Sequence, residues 1–158
     1  MGNRANVVFV HGKDIAPVVY LHWNGGPESV YAFVAELELR KGFDGGPEAA
    51  AARFAGVVAD FFGDDDGHSL YLYNAPRAIT AKQLERFDHS DNGTYVVTRK
   101  DGETTFRRFV ENRSGVGLRE LSEDAVATEK LFAEHERQYA GILEDLRKIR
   151  EARKAVAG

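Results

Sequence analysis

The stretch "NVVFVHGKDIAPVVYLHWNGGPESV", residues 6–30, decides the fold class. Asn6–His11 and Val18–Trp23 are near-continuous apolar runs separated by "GKDIAP". Short β-branched runs bounded by turn formers read as two buried neighbouring strands, most simply a hairpin. The chain then passes through Gly25-Gly26 into Pro27-Glu28, and Val30, Phe33, Val34 and Leu37 follow at i, i+3, i+4, i+7. That spacing lays an apolar stripe along one side of a helix. Gly-Gly-Pro-Glu recurs at Gly45–Glu48, ahead of a second stripe of Phe54, Val57, Val58 and Phe61. Proline suits the first helical position because its missing N–H would have had no partner there, and the glutamate favours the positive end of the helix dipole. The phrase is a helix start.

Further along, Leu70 and Leu72 alternate with Tyr71 and Tyr73 as a third strand, and Thr80–Phe87 reads as a short helix capped by Thr80. "GTYVVTRKDGETTFRRFV" is a β-hairpin turning at Lys100-Asp101-Gly102. From Ser122 to Val156 there is no proline and one glycine, Gly141. Phe132, His135, Tyr139, Ile142, Leu146, Ile149, Arg153 and Val156 fall at alternating spacings of three and four, a heptad seam. An unbroken helix there would be roughly 50 Å long at about 1.5 Å per residue. A domain of this size has a radius of gyration of only about 15 Å, so the helix should overhang it. The expected fold is α+β, a mostly antiparallel sheet of about five strands with helices on one face and a long C-terminal helix. Residues 1–121 would form the domain and 122–158 the helix, partly packed on it. The overhanging seam of Phe132, His135, Tyr139, Ile142, Leu146 and Ile149 would meet a host protein or a second copy, giving a homodimer or a hetero-complex.

A chain of 158 residues is one well-cored domain rather than two. It lacks cysteine, which excludes disulfides and thiolate metal sites and fits a reducing, cytoplasmic setting. No apolar run approaches the roughly 20 residues of a membrane span, and the first residues lack a signal-peptide layout. Net charge is −4, which argues against general affinity for nucleic acid. Its distribution is uneven: residues 1–76 carry ten acids against five bases, residues 77–121 seven against nine.

Most catalytic patterns fail on physical grounds. Gly67-His68-Ser69 imitates a nucleophile elbow, but Tyr71 stands where its last glycine is needed and the segment enters a strand. "DHSDNG" from Asp88 resembles a calcium loop, but Arg99 replaces the bidentate acid at its twelfth place. Asp64, Asp66 and His68 are weak metal candidates, set against a plainly solvated loop. No Walker loop or dinucleotide fingerprint occurs, so no cofactor is expected. His11 and His22 each end a strand and would face each other in a regular hairpin as an acid–base pair. Arg99, Arg107, Arg108 and Arg113, interleaved with aromatics, form a candidate nucleic-acid contact on the second hairpin. His22, Trp23, Asn24 and Gly25, just before a helix N-terminus, form a candidate anion or ligand site, against a purely structural turn.

The N-terminal residues also carry a resemblance. Arg4 and Asn6, followed by Tyr20, His22, Trp23, Asn24, Gly25 and Pro27, resemble a pattern in small uncharacterised proteins of phages and other mobile elements. In that pattern an Arg-x-Asn strand precedes Tyr-x-His-Trp-(Asp/Asn)-Gly-x-Pro and a helix. The match covers about 35 residues. Asn24 stands where Asp is usual in that pattern, so this chain has no carboxylate there. The resemblance implies a setting and brings no mechanism.

The expected function is an accessory protein of phage or mobile-element type, leaning away from an enzyme. It would act in the host cytoplasm by protein–protein interaction, an anti-CRISPR-like inhibitor of host defence being one version. One alternative is a small enzyme on a phosphorylated or nucleotide substrate, using His22, His11 and Asp64–Asp66. The other is a nucleic-acid-binding module through Arg99–Arg119.

Overall fold

A computed structural model describes residues 3–63, 70–87 and 91–157. Strands β1 (Ala5–His11), β2 (Asp14–Ile15) and β3 (Val18–Leu21) lead into helices α1 (Pro27–Leu39) and α2 (Pro47–Phe62). Strand β4 (Leu70–Tyr73), helix α3 (Ala81–Leu84), and strands β5 (Thr94–Lys100), β6 (Glu103–Glu111) and β7 (Leu118–Glu120) follow. Helices α4 (Glu123–His135) and α5 (Arg137–Ala157) close the chain.

The α+β class holds, but the sheet is mixed and has seven strands among the described residues. Its order is β4-β3-β1-β5-β6-β7, with β2 beside β1. β1 pairs antiparallel with β3 and parallel with β5, Val7 opposite both Val19 and Tyr95. Strand β3 and most of β1 are buried on both faces, which is why they read as continuous apolar runs rather than alternating ones. Between Val10↔Ile15 and Val7↔Val19 the returning side carries one extra residue, a bulge at Ala16-Pro17. In the second hairpin Lys100 opposes Glu103, and Asp101 and Gly102 both take positive φ (51° and 78°), as a two-residue turn demands.

Helices do not lie on one face only. Leu84 of α3 and the following Phe87 pack with Val8, Val18, Val96, Phe109 and Leu118 on one side of the sheet. On the other side, α1 and α2 cover Val7, Phe9, Val19, Leu21, Tyr95 and Val97. Pro47 and Pro27 open their helices as expected, and Thr80 Oγ1 accepts from Gln83 N–H to cap α3. Helix α1 is buried nearly all round, Tyr31, Ala32 and Glu36 included, so it needs cover on its far side too.

The C-terminal segment supplies that cover, which corrects the single overhanging rod. The helix breaks at Glu136, which is extended (φ −70°, ψ 138°), and α4 and α5 both pack on α1. At about 1.5 Å per residue the pieces are roughly 20 and 30 Å long, short enough for the domain to cover. Ala133, Ile142 and Leu146 join the main core, with Tyr139 and Leu143 packed against it. Nothing in His135-Glu136-Arg137 is a helix breaker; burying Ala133 and Ile142 on one rounded body is what bends the chain. The last two turns, residues 151–157, are exposed throughout, as are residues 134–138 around the break.

Charges fasten α5 down. Glu36 of α1 is 0% exposed and accepts from Arg40 Nε (2.9 Å) and Arg150 Nε (3.1 and 3.2 Å). Asp60 of α2 accepts from Arg40 Nη1 (2.6 Å) and from Arg153 (2.7 and 2.5 Å). Two carboxylates and three guanidiniums thus join α1, α2 and α5.

Candidate functional site

The His-Trp-Asn-Gly segment connects β3 to α1 as a tight turn. Asn24 takes a left-handed φ of 56°, a conformation its short polar side chain tolerates, and its Nδ2 donates to Ser29 Oγ at 3.1 Å. Gly25 is required by closeness: its N–H donates to the Asn3 carbonyl at 2.7 Å, and a Cβ would lie 2.6 Å from that oxygen. The Gly25 carbonyl accepts from the buried Tyr95 hydroxyl at 2.8 Å. Tyr20 Oη lies 3.1 Å from His22 Nδ1, and the Trp23 ring stands edge-on to His22.

The start of α1 already carries an acid of its own, Glu28. A Cβ on Gly26 would meet the Glu28 carboxylate at 2.6 Å, so that residue's own acid lies over the first turn. The other residues of the motif are structural as well. Arg4 donates through its backbone N–H and Nε to Asp91 (2.8 and 2.9 Å), tying the first strand to the loop before β5. That contact holds the Asp91 carboxyl below the usual carboxylate range. Asn6 is fully buried in β1. His22, Trp23, Asn24 and Gly25, the expected anion site, thus lie in a turn that docks the chain through Asn24–Ser29, Gly25–Asn3 and Gly25–Tyr95.

The histidine pair separates. Ala5 pairs with Leu21, whereas His11 pairs with Asp14 at the other end of β1. In an antiparallel hairpin the ends of successive strands lie at opposite ends of the pair, so His11 and His22 are about seven residues, or roughly 23 Å, apart along the strand. They do not form an acid–base couple. Asp64, Asp66 and His68, the metal candidates, lie outside the described residues.

The arginines divide as well. Neighbours on a strand point to opposite faces, so Arg107 and Arg108 cannot share a surface. Arg107 reaches Glu120 and lies over Phe109 on one face. Arg108, 2% exposed, lies under the helices: its guanidinium is 3.7 Å from the Tyr95 ring centroid and donates to both Glu129 oxygens (2.7 and 3.3 Å). Burial opposes its charge, but Tyr95 and Glu129 outweigh that and raise its pKa above the ordinary guanidinium value. Tyr31 Oη donates to Glu129 at 2.9 Å, and burial followed by that carboxylate pushes the hydroxyl far above the ordinary phenol range. Arg99 is engaged by Glu38 and Thr104, and Arg113 stands apart in the exposed loop before β7. The expected nucleic-acid surface of Arg99, Arg107, Arg108 and Arg113 is not one surface.

No protein-family model matches the chain, and no curated protein or solved structure matches it.

The seam residues meet different fates. Ile142 and Leu146 are core, Tyr139 and Ile149 are half-buried, and His135 ends α4 in solvent. Phe132 is 68% exposed, and its neighbour Leu131 56%. Around them α4 and Glu136 carry five acids, Glu123, Asp124, Glu129, Glu134 and Glu136, against one base, Lys130. Glu129 is spent on Arg108 and Lys130 pairs with Glu134, while Glu123, Asp124 and Glu136 face solvent. Phe132 borders a groove whose opposite wall is Pro27 and Glu28 at the start of α1. A second hollow, about 170 Å³, lies where the parallel strands β1 and β5 end, between Phe9, Phe43 and Val97, with His11 and Arg99 lining it. The salt-bridge network of Glu36, Asp60, Arg40 and Arg150 had one visible signal, the Glu36–Arg40 spacing of i, i+4 inside an apolar helix.

Proposed function

We propose that this protein works by binding another protein, through the outward face of α4, rather than by catalysis. The observation that supports the reading is Phe132, a large apolar side chain 68% exposed beside Leu131 on an acidic helix. An exposed Phe beside a groove is a ready anchor, since a few residues carry most of the energy of a protein interface and aromatics are enriched there. The surrounding carboxylates select the partner by charge: a segment presenting an apolar residue flanked by Lys or Arg. Pairing through the whole heptad seam is not part of this proposal, because Ile142 and Leu146 are already buried. Occlusion of a host defence protein is the version consistent with the resemblance at Arg4–Pro27.

The test uses two synthetic amphipathic helical peptides of one length, one of Leu and Lys, the other of Leu and Glu. The Leu/Lys peptide should bind the full chain with an affinity that falls with salt. Leu131→Ser with Phe132→Ser should weaken it at least about tenfold, a loss of about 1.4 kcal/mol, at unchanged melting temperature. Equal binding to both proteins, or equal binding of the Leu/Glu peptide, overturns the proposal.

A further inference from the structure

The end of α1 and the last third of α5 border an open surface cleft of about 340 Å³, separate from Phe132. Its lining is Leu39 and five cations: Arg40, Lys41, Arg150, Arg153 and Lys154. Only two carboxylates, Glu36 and Asp60, pair with this set, so three positive charges are uncompensated. The nearby acids are engaged elsewhere, Glu38 by Arg99 and Glu151 by Arg147. Lys41 and Lys154 have no carboxylate within ion-pair distance among the described residues.

Cations near helix C-termini complement the dipole, and that accounts for single residues here. It leaves two further observations unexplained. Arg40 Nη2 is a buried donor with no hydrogen-bond acceptor. Lys41 sits at φ 56° in the turn that ends α1, where its N–H donates to the Glu38 carbonyl and that of Gly42 to Leu37. Those two bonds define a helix ending whose left-handed residue is normally glycine. A lysine there accepts backbone strain, and it stands exposed on the lining of the cleft.

We propose that this cleft binds a phosphate-class oligoanion, a pyrophosphate group either free or as the tail of a small phosphorylated molecule. Three excess charges match a group of that valence. Lys41, Arg153 and Lys154 are exposed along the cleft and Arg150 is half-buried, and cationic groups so clustered suit the oxygens of a phosphoryl chain.

The experiment measures binding to the full chain by calorimetry and thermal shift. The probes are sodium pyrophosphate, ATP and a ten-nucleotide single-stranded RNA, each against sodium chloride at matched ionic strength. Pyrophosphate should bind and raise the melting temperature. The variant Lys41→Gly/Lys154→Ala should bind at least about tenfold more weakly while melting no lower than the parent, because glycine suits the left-handed site. If ATP outcompetes pyrophosphate, the ligand is a phosphorylated small molecule; if not, it is the free anion. An equal response in parent and variant, or a shift reproduced by chloride, overturns the proposal. So does tighter binding of the RNA than of either small probe.

Discussion

Replacing Glu36 by Gln tests whether charge holds the C-terminal helix in place. The amide keeps the shape of the side chain, so packing on α1 is preserved. The carboxylate is lost at 0% exposure, opposite Arg40 at 2.9 Å and Arg150 at 3.1 Å. Breaking a buried ion pair from one side costs about 3–5 kcal/mol. Arg40 and Arg150 retain some contact with water, and Asp60 still holds Arg40, so the lower figure of about 3 kcal/mol applies. For a domain of this size each kcal/mol moves the midpoint by about 2–4 °C, giving a drop of roughly 6–12 °C in Tm. Hydrogen exchange should show the loss unevenly, with α5 amides losing protection before those of β1 and β5. Substituting both partners with apolar residues, Glu36→Leu with Arg150→Met, should recover much of the deficit, because no buried charge is then left alone. A drop in Tm under about 2 °C for Glu36→Gln, with α5 protection unchanged, would refute the role given to Glu36 and leave α5 held by its apolar contacts and the Arg153–Asp60 pair.

Gly25→Ala should destabilise the fold by about 2 kcal/mol or more, because its Cβ meets the Asn3 oxygen at 2.6 Å, whereas His22→Ala should cost about 1 kcal/mol or less; paired denaturant melts check this. Tyr31 and Tyr95 have pKa values raised chiefly by burial, so at alkaline pH the folded state holds protons that the unfolded state gives up. Their stabilising effect is complete below about pH 10 and lost as pH rises beyond it. In ultraviolet titration at most four of the six tyrosines should ionise before the chain unfolds. Asp91 has its pKa lowered by Arg4, so its contribution is present above the ordinary carboxylate range and lost as pH falls through the depressed value. Asp91→Asn should flatten that acid limb of the stability curve, and an unchanged limb would refute the assignment.

Local periodicity made several elements legible. Two Gly-Gly-Pro-Glu phrases start two helices, Lys100-Asp101-Gly102 turns a hairpin, and Thr80 caps a short helix. Each depends on residues within a few positions of one another. A missed signal lay in α1, where Val30, Tyr31, Ala32, Phe33 and Val34 are apolar in succession. A helix with no polar side has to be covered twice, and that second cover is what the C-terminal segment provides. The candidate site was less legible. The acidic and apolar residues of α4 are plain in the sequence, but whether Phe132 or Ile142 would be the exposed member of the seam is not.

Read alone, the chain determined its class, its short-range turns and the amphipathic character of its helices, because those follow from backbone sterics and side-chain spacing. Tertiary structure decided the parallel pairing of β1 with β5, the bend at Glu136, the separation of His11 from His22 and the burial of Arg108. Each of these is a contest for buried area and charge partners between residues far apart in sequence. Glu36 and Arg150, 114 positions apart, meet only once the whole core has chosen its neighbours.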